Sequence, residues 1–223
     1  MKYILKNQIT RRIALIACNA ALALGLLVTL PQLAQAQNVT PPTVPDNKLQ
    51  VEDGNEAFLL GHGVGTQNYI CKTSGTGVKY VLFTPEATLF KDNDDRQIIT
   101  HFFSPNPFEL NVDPTVVADG MIRVTWQARD SSTVWAKVHQ PDGMLTVDPN
   151  SVAWLLLDVV GTKDGPTGGR TLSDTTFIQR VNTVGGLAPL EGCKVSTDVG
   201  NEAFVPYSAD YFFYKKQSGH INK

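Results

Sequence analysis

Any chemistry in this chain has to come from polar and aromatic side chains set inside otherwise apolar, strand-like runs. Gln67 and Tyr69 precede Cys71 at alternate positions, so all three share one face of an extended chain. Trp126, Asp130 and Lys137 fall on a predicted hairpin. Gln179 and Arg180 interrupt the apolar run that begins at Phe177-Ile178, and Tyr207, Asp210 and Tyr211 lie in an aromatic-rich closing segment. Tyr and Trp carry large apolar faces with one hydrogen-bonding edge, which suits a pocket or patch for a small molecule or an extracellular polymer. Asp130, Lys137 and Asp210 are the groups that a cofactor-independent hydrolase or isomerase would use for proton transfer. A buried strand arginine needs an oxygen partner, and Asp210 is the candidate for Arg180. The plainer alternative is a buried polar network that pins strand register, and the sequence favours it.

Motifs for other chemistry are missing. Gly61-His62-Gly63-Val64-Gly65 lacks the spacing and the following helix of a dinucleotide fingerprint. The Asp164–Arg170 stretch lacks the Lys-Ser/Thr that ends a phosphate loop. Both read as turns. His62, His101, His139 and His220 have no metal-ligand spacing, and His101 beside Phe102-Phe103 reads as a hydrogen-bonded structural histidine. A calcium loop starting at Asp92 would need Gly and Glu where Gln97 and Phe103 stand, so Asp92, Asp94 and Asp95 read as a solvated hairpin tip. No G-x-S-x-G elbow occurs. The expectation is no catalytic residue, no metal and no cofactor.

The elements that position these residues begin after a signal segment. Lys2, Lys6, Arg11 and Arg12 precede an apolar run over 13–30, and Ala34-Gln35-Ala36 has the small-x-small pattern of a cleavage site. Cleavage after Ala36 predicts a secreted or periplasmic protein with no stable membrane anchor. Thr10–Leu15 is a loose twin-arginine pattern, and Cys18 sits too early in the apolar run for a lipoprotein box. The chain has 19 Lys and Arg against 21 Asp and Glu, so losing four signal cations leaves a balance of −6. A mildly acidic chain without a basic run is a poor nucleic-acid or anionic-lipid binder. Only Cys71 and Cys193 then remain, an even pair in an exported chain. One disulfide closing a loop of about 120 residues is the default, with two free buried thiols as the alternative.

Residues 37–50 are proline-rich and polar and read as an extended leader. Beyond them, short β-rich runs are bounded by Gly, Pro, Asn and Asp. Strands are predicted over 56–61, 66–72, 78–84, 86–91, 96–103, 121–128, 132–139, 152–160, 175–182 and 203–214. Val134, Ala136 and Val138 alternate onto one face, whereas Trp154-Leu155-Leu156-Leu157 is continuous, as in a strand covered on both sides. Residues 104–120, with three prolines, and the glycine-rich 161–170 read as loops. The prediction is a single all-β domain over 51–216, an antiparallel sandwich or barrel with one disulfide, followed by a flexible 217–223 tail.

Several groups of residues carry a family resemblance. They are Gln67-x-Tyr69-x-Cys71, Pro85-Glu86-Ala87-x-Leu89-Phe90, Thr125-Trp126 with Asp130-x-Ser132, and Trp154–Leu157. The longest are Gln179–Gly186 with Ala188-Pro189 and Gly192-Cys193, and then Val205–Tyr214. On these motifs the chain resembles the domain of unknown function 3455 family of exported bacterial and fungal proteins. The resemblance implies a secreted single domain with paired cysteines and supplies no reaction. It also marks a departure, because the family's Asp-Gly-Ser is Asp130-Ser131-Ser132 here. The leading expectation is a non-catalytic β domain that binds a small molecule or an extracellular polymer. A hydrolase or isomerase and a structural or stress-related envelope protein are the alternatives.

Overall fold

The computed structural model describes residues 39–92, 96–113 and 119–218. The expected signal segment, Asp94, Asp95, His220 and the end of the predicted tail lie outside the described residues. Among the described residues nine strands form in chain order: β1 (Asn55–Ser74), β2 (Gly77–Lys91), β3 (Arg96–Asn106), β4 (Met121–Ala128), β5 (Thr133–Val138), β6 (Met144–Leu145), β7 (Trp154–Lys163), β8 (Thr175–Gly185) and β9 (Glu202–Lys216). They pair antiparallel in the order β5-β4-β3-β2-β1-β9-β8-β7-β6. An additional β5–β7 ladder joins Thr133–Val138 to Leu157–Lys163. That ladder closes eight strands into a barrel and leaves β6 as a short extra strand on β7. Of the two predicted architectures the chain adopts the barrel, which removes the open sheet edges of a sandwich.

The strands are longer than their sequence signals. The predicted strands at 56–61 and 66–72 are one strand, β1, and those at 78–84 and 86–91 are one strand, β2. The Gly61–Gly65 segment is therefore mid-strand, which overturns its reading as a turn. Gly63 is needed for space: a Cβ there would lie 2.8 Å from the Tyr211 ring. Residues 164–170 do form a turn, closed by the Gly168 N–H donating to the Gly165 carbonyl.

Closure gives each strand an inner and an outer face, and both are covered around β7 to β9. Leu155, Leu157, Ile178, Ala209, Tyr211 and Phe213 point into the barrel core. Leu156, Phe177, Val181, Phe212 and Tyr214 form a second cluster outside it. The lid of this outer cluster is the segment predicted to be a leader. Leu49 and Val51 are buried in it, with Val39 and Val44 packed at its edge. Asp46 caps a 3-10 turn over Asn47–Leu49, and Gln179 donates to the Leu49 carbonyl at 2.6 Å while accepting from the Tyr214 hydroxyl. The proline-rich stretch is thus a strap built into the fold. Covering on both faces explains why Trp154–Leu157 reads as continuously apolar.

Cys71 and Cys193 form the disulfide, spanning 122 positions and fastening the β8–β9 connection to the end of β1. The backbone doubles this link, with Cys71 and Asn201 sharing an N–H···O bond of 2.8 Å. At the β4–β5 hairpin Ser131 holds φ 64°, the left-handed region where a glycine would carry no Cβ penalty.

Two stability measurements check these links. Replacing both cysteines by serine lowers unfolding free energy by roughly 3–5 kcal/mol in urea titrations, because the unfolded chain regains the freedom of a long loop. Ser131→Gly raises it by about 0.5–1 kcal/mol, since the exposed Ser131 side chain gives up little to relieve the strained φ; a neutral or destabilising result contradicts the strain.

Candidate functional site

One end of the barrel interior is solid. Leu89, Ile99, Ala128, Val134, Ile178 and Phe213 pack there, each 5 % exposed or less. Trp126, His101 and Tyr211 lie on top of this plug, each 2 % exposed or less. Above them a cavity of about 610 Å³ runs to the other end of the barrel. Its walls are mainly apolar, with Phe103, Val124, Val138, Val152 and Leu155 among them. Leu82, Met144 and Leu187 line it while exposing 36 %, 49 % and 42 % of their surface, which marks the mouth. The mouth is framed by the 139–153 loop and the β8–β9 connection. Val152 and Gly185 share a backbone bond there, Ser151 accepts from the Gly185 N–H, and Tyr69 donates to the Gly186 carbonyl at 2.6 Å. Gly186 has to be glycine, because at φ 83° a Cβ would press on Tyr207 at 2.9 Å.

Strand parity decides which predicted residues reach this cavity. Gln67, Tyr69, Trp126, Arg180 and Tyr211 line it, and Tyr207 lies behind it with its hydroxyl 3.0 Å from that of Tyr211. Asp130, Lys137 and Asp210 do not. Arg180 is paired across the ladder with Tyr211, whereas Asp210 is paired with Val181, so the two charges stand on opposite faces of the sheet. The expected Arg180–Asp210 pair is therefore corrected. Arg180 donates from Nε and Nη2 to the Ala153 carbonyl at 3.2 and 2.8 Å. Asp210 faces outward and binds His62 Nδ1 at 2.6 Å and Asn182 Nδ2 at 2.8 Å. Lys137 is exposed on β5.

Asp130 is a latch. One oxygen accepts from the Ser132 N–H and hydroxyl at 3.0 and 2.6 Å, the other from the Thr171 N–H and hydroxyl at 2.9 and 2.8 Å. Burial alone would raise its pKa, but these four bonds outweigh it and hold the carboxyl below its usual range. It ties the β4–β5 hairpin to the loop before β8.

The polar groups in the cavity are tuned toward neutrality, Arg180 excepted. His101 stacks on Trp126 with centroids 4.4 Å apart and donates from Nδ1 to the Thr125 carbonyl at 2.9 Å. A carbonyl only accepts, so Nδ1 carries the proton and Nε2 keeps its lone pair. Burial pushes the His101 pKa down to about 3; the Arg180 charge adds to this and the Thr125 bond opposes it. Burial raises the phenols of Tyr69, Tyr207 and Tyr211, with Arg180 partly offsetting it in each. They remain protonated donors at neutral pH. The Gln67 amide approaches the Tyr207 hydroxyl without completing a hydrogen bond, and its N–H₂ and the Trp126 indole N–H lack partners among the described residues. The arrangement presents one fixed cation and several neutral polar groups inside an apolar sleeve. Among the described residues no cluster of His, Cys, Asp and Glu could hold a metal.

Sequence reasoning missed Val124, Phe103, Leu155 and Leu157 as wall residues, and it took His101 as structural only. Period-two spacing from Trp126 or from His101 would have found the first two.

A family model described as "Protein of unknown function (DUF3455)" matches residues 53–215. The chain belongs to the DUF3455 family. No curated protein and no solved structure matches it significantly. The DUF3455 match takes in all nine strands apart from the last residue of β9 and leaves out the strap at 39–51.

A surface imidazole and a buried one of this DUF3455 barrel shift in opposite directions. For His62, burial lowers the pKa, but the bonds to Asp210 and Asp92 outweigh it and raise it above 6.5. In ¹H–¹⁵N NMR across pH 4.5–8, His62 titrates above 6.5 while His101 stays neutral with its proton on Nδ1 throughout. The unfolded chain protonates its histidine near 6.5 and the folded one does not. His101 therefore contributes stability that is complete above 6.5 and declines as pH falls toward 3. A His101 that titrates near 6.5 contradicts this burial.

Proposed function

We propose that this is an exported protein whose barrel binds a small, largely apolar molecule in its lumen and does not transform it. One observation carries the reading: a cavity of about 610 Å³, open at one end, with a mainly apolar wall and a few convergent polar groups. That is within the ~300–1,000 Å³ range of small-molecule sites. A purely structural barrel of eight strands can fill its interior with side chains, so an open lumen speaks against a structural envelope role.

The positions of the ionisable groups support binding over catalysis. Asp130 is committed to four hydrogen bonds, Lys137 is exposed, and Asp210 belongs to the outer wall. Among the described residues none of the three lines the lumen, where a hydrolase or isomerase would have to bring two of them together for proton transfer. Within the lumen His101 is too weak a base at neutral pH, and the tyrosines are too weak as acids. A small molecule is favoured over a polymer because Trp126, Tyr69 and Tyr211 face inward. The Cys71–Cys193 bridge supports an oxidising location, in keeping with the expected signal segment.

Uptake of the neutral dye N-phenyl-1-naphthylamine tests this. Dye fluorescence should rise and saturate near one dye per protein. Val124→Trp, which places an indole in the cavity, should weaken uptake at least about tenfold, as steric exclusion from a filled pocket demands. No saturable uptake, or equal uptake by the variant, would sink the lumen reading.

A further inference from the structure

The lumen has an unbalanced charge. Arg180 is the one ionised side chain among the described residues that line it, and no carboxylate joins it there. A guanidinium has five N–H donors in a fixed fork. Two are spent on the Ala153 carbonyl, an uncharged acceptor. Of the remaining three, one approaches the Tyr211 phenol oxygen, and the cavity around them is largely apolar, with a low dielectric that strengthens any charge placed opposite them. A half-buried cation that faces only a carbonyl and a phenol is costly unless an anion completes it. The Gln67 side chain, 2 % exposed and in the same wall, adds a second donor whose amide N–H₂ approaches Tyr207 without completing a hydrogen bond and has no partner among the described residues. Tyr211 beside Arg180 keeps its proton and can donate as well.

From this geometry we infer that the ligand is an amphipathic monocarboxylate, a proposal that rests on the lumen-binding reading above. Its carboxylate pairs with the Arg180 fork near His101 and Tyr211, and its hydrocarbon runs along Phe103, Val124, Val138 and Leu155. It leaves toward the exposed rim of Leu82, Met144 and Leu187. One cation suits one negative charge, so a phosphate dianion would remain half-compensated. A sugar would set its hydroxyls against the apolar run of Phe103, Val124, Val138 and Leu155, and a cationic amphiphile would be repelled by Arg180.

Calorimetric titration of the purified protein with dodecanoate, dodecanol and dodecylamine at neutral pH decides the point. The three probes share a chain and differ in head charge. Dodecanoate should bind at least about tenfold more tightly than dodecanol, as hydrogen bonds to a charged group imply, and dodecylamine should bind most weakly. Arg180→Gln should abolish the preference for dodecanoate over dodecanol. Gln67→Met, which removes an unpartnered donor and keeps the volume, should narrow the dodecanoate preference by a few-fold while the protein stays folded. Equal affinity for dodecanoate and dodecanol in the wild type overturns the carboxylate assignment and leaves lumen binding standing. A preference that survives Arg180→Gln overturns it too. No binding of any probe removes the lumen reading and this inference with it. Where Arg180→Gln does not fold, the wild-type comparison and Gln67→Met still separate these outcomes.

Discussion

The ladder between β5 and β7 is the contact on which everything else depends. Without it the strands form an open sheet with two edges and no interior. With it, each strand acquires an inside and an outside, and single-residue alternation becomes an assignment of function. Tyr211 and Asp210 are neighbours in the chain, yet one lines a cavity and the other holds a surface histidine. Arg180 and Val181 divide in the same way.

The two faces are stabilised by different means. One part of the interior is a packed plug of aliphatic and aromatic side chains, and another is left open as the lumen. The outer face of β7 to β9 has no second sheet to bury it, and the N-terminal strap supplies the missing layer through Leu49 and Val51. Gln179 connects strap and strand by spending both ends of its amide, on Leu49 and on Tyr214. The disulfide acts at the mouth, where the β8–β9 connection carries Leu187 and Gly186. Cross-linking that loop to β1 limits how far the entrance can open. Asp130 performs a comparable task on the hairpin side, with hydrogen bonds in place of a covalent bond.

A lumen this apolar would be easiest to build from aliphatic residues alone. His101, Gln67 and Arg180 are retained within it against the cost of burying polar groups. His101 meets that cost by staying neutral and donating to Thr125. Gln67 and Arg180 do not meet it fully from protein groups, and local departures of this kind are expected where a site awaits a ligand.

Much of this was legible in the residues. Turn residues and β-branched runs marked most strands, an even cysteine pair marked the bridge, and the continuous run at Trp154–Leu157 marked a strand covered on both faces. Gln67, Tyr69, Trp126, Arg180 and Tyr211 stood out because polar groups in apolar runs are conspicuous. Local pattern could not supply three things. It could not tell barrel from sandwich, because closure is a contact between β5 and β7 that leaves no mark within either strand. It could not show the strap, because a polar, proline-rich segment reads as solvated until Leu49 and the adjoining Val51 find their partners. And it could not pair charges, because whether Arg180 meets Asp210 is set by inter-strand register, a property of two strands together. The sequence determined which segments extend and which side chains carry unusual chemistry; tertiary structure alone decided which of those side chains face one another, since facing requires closure and register.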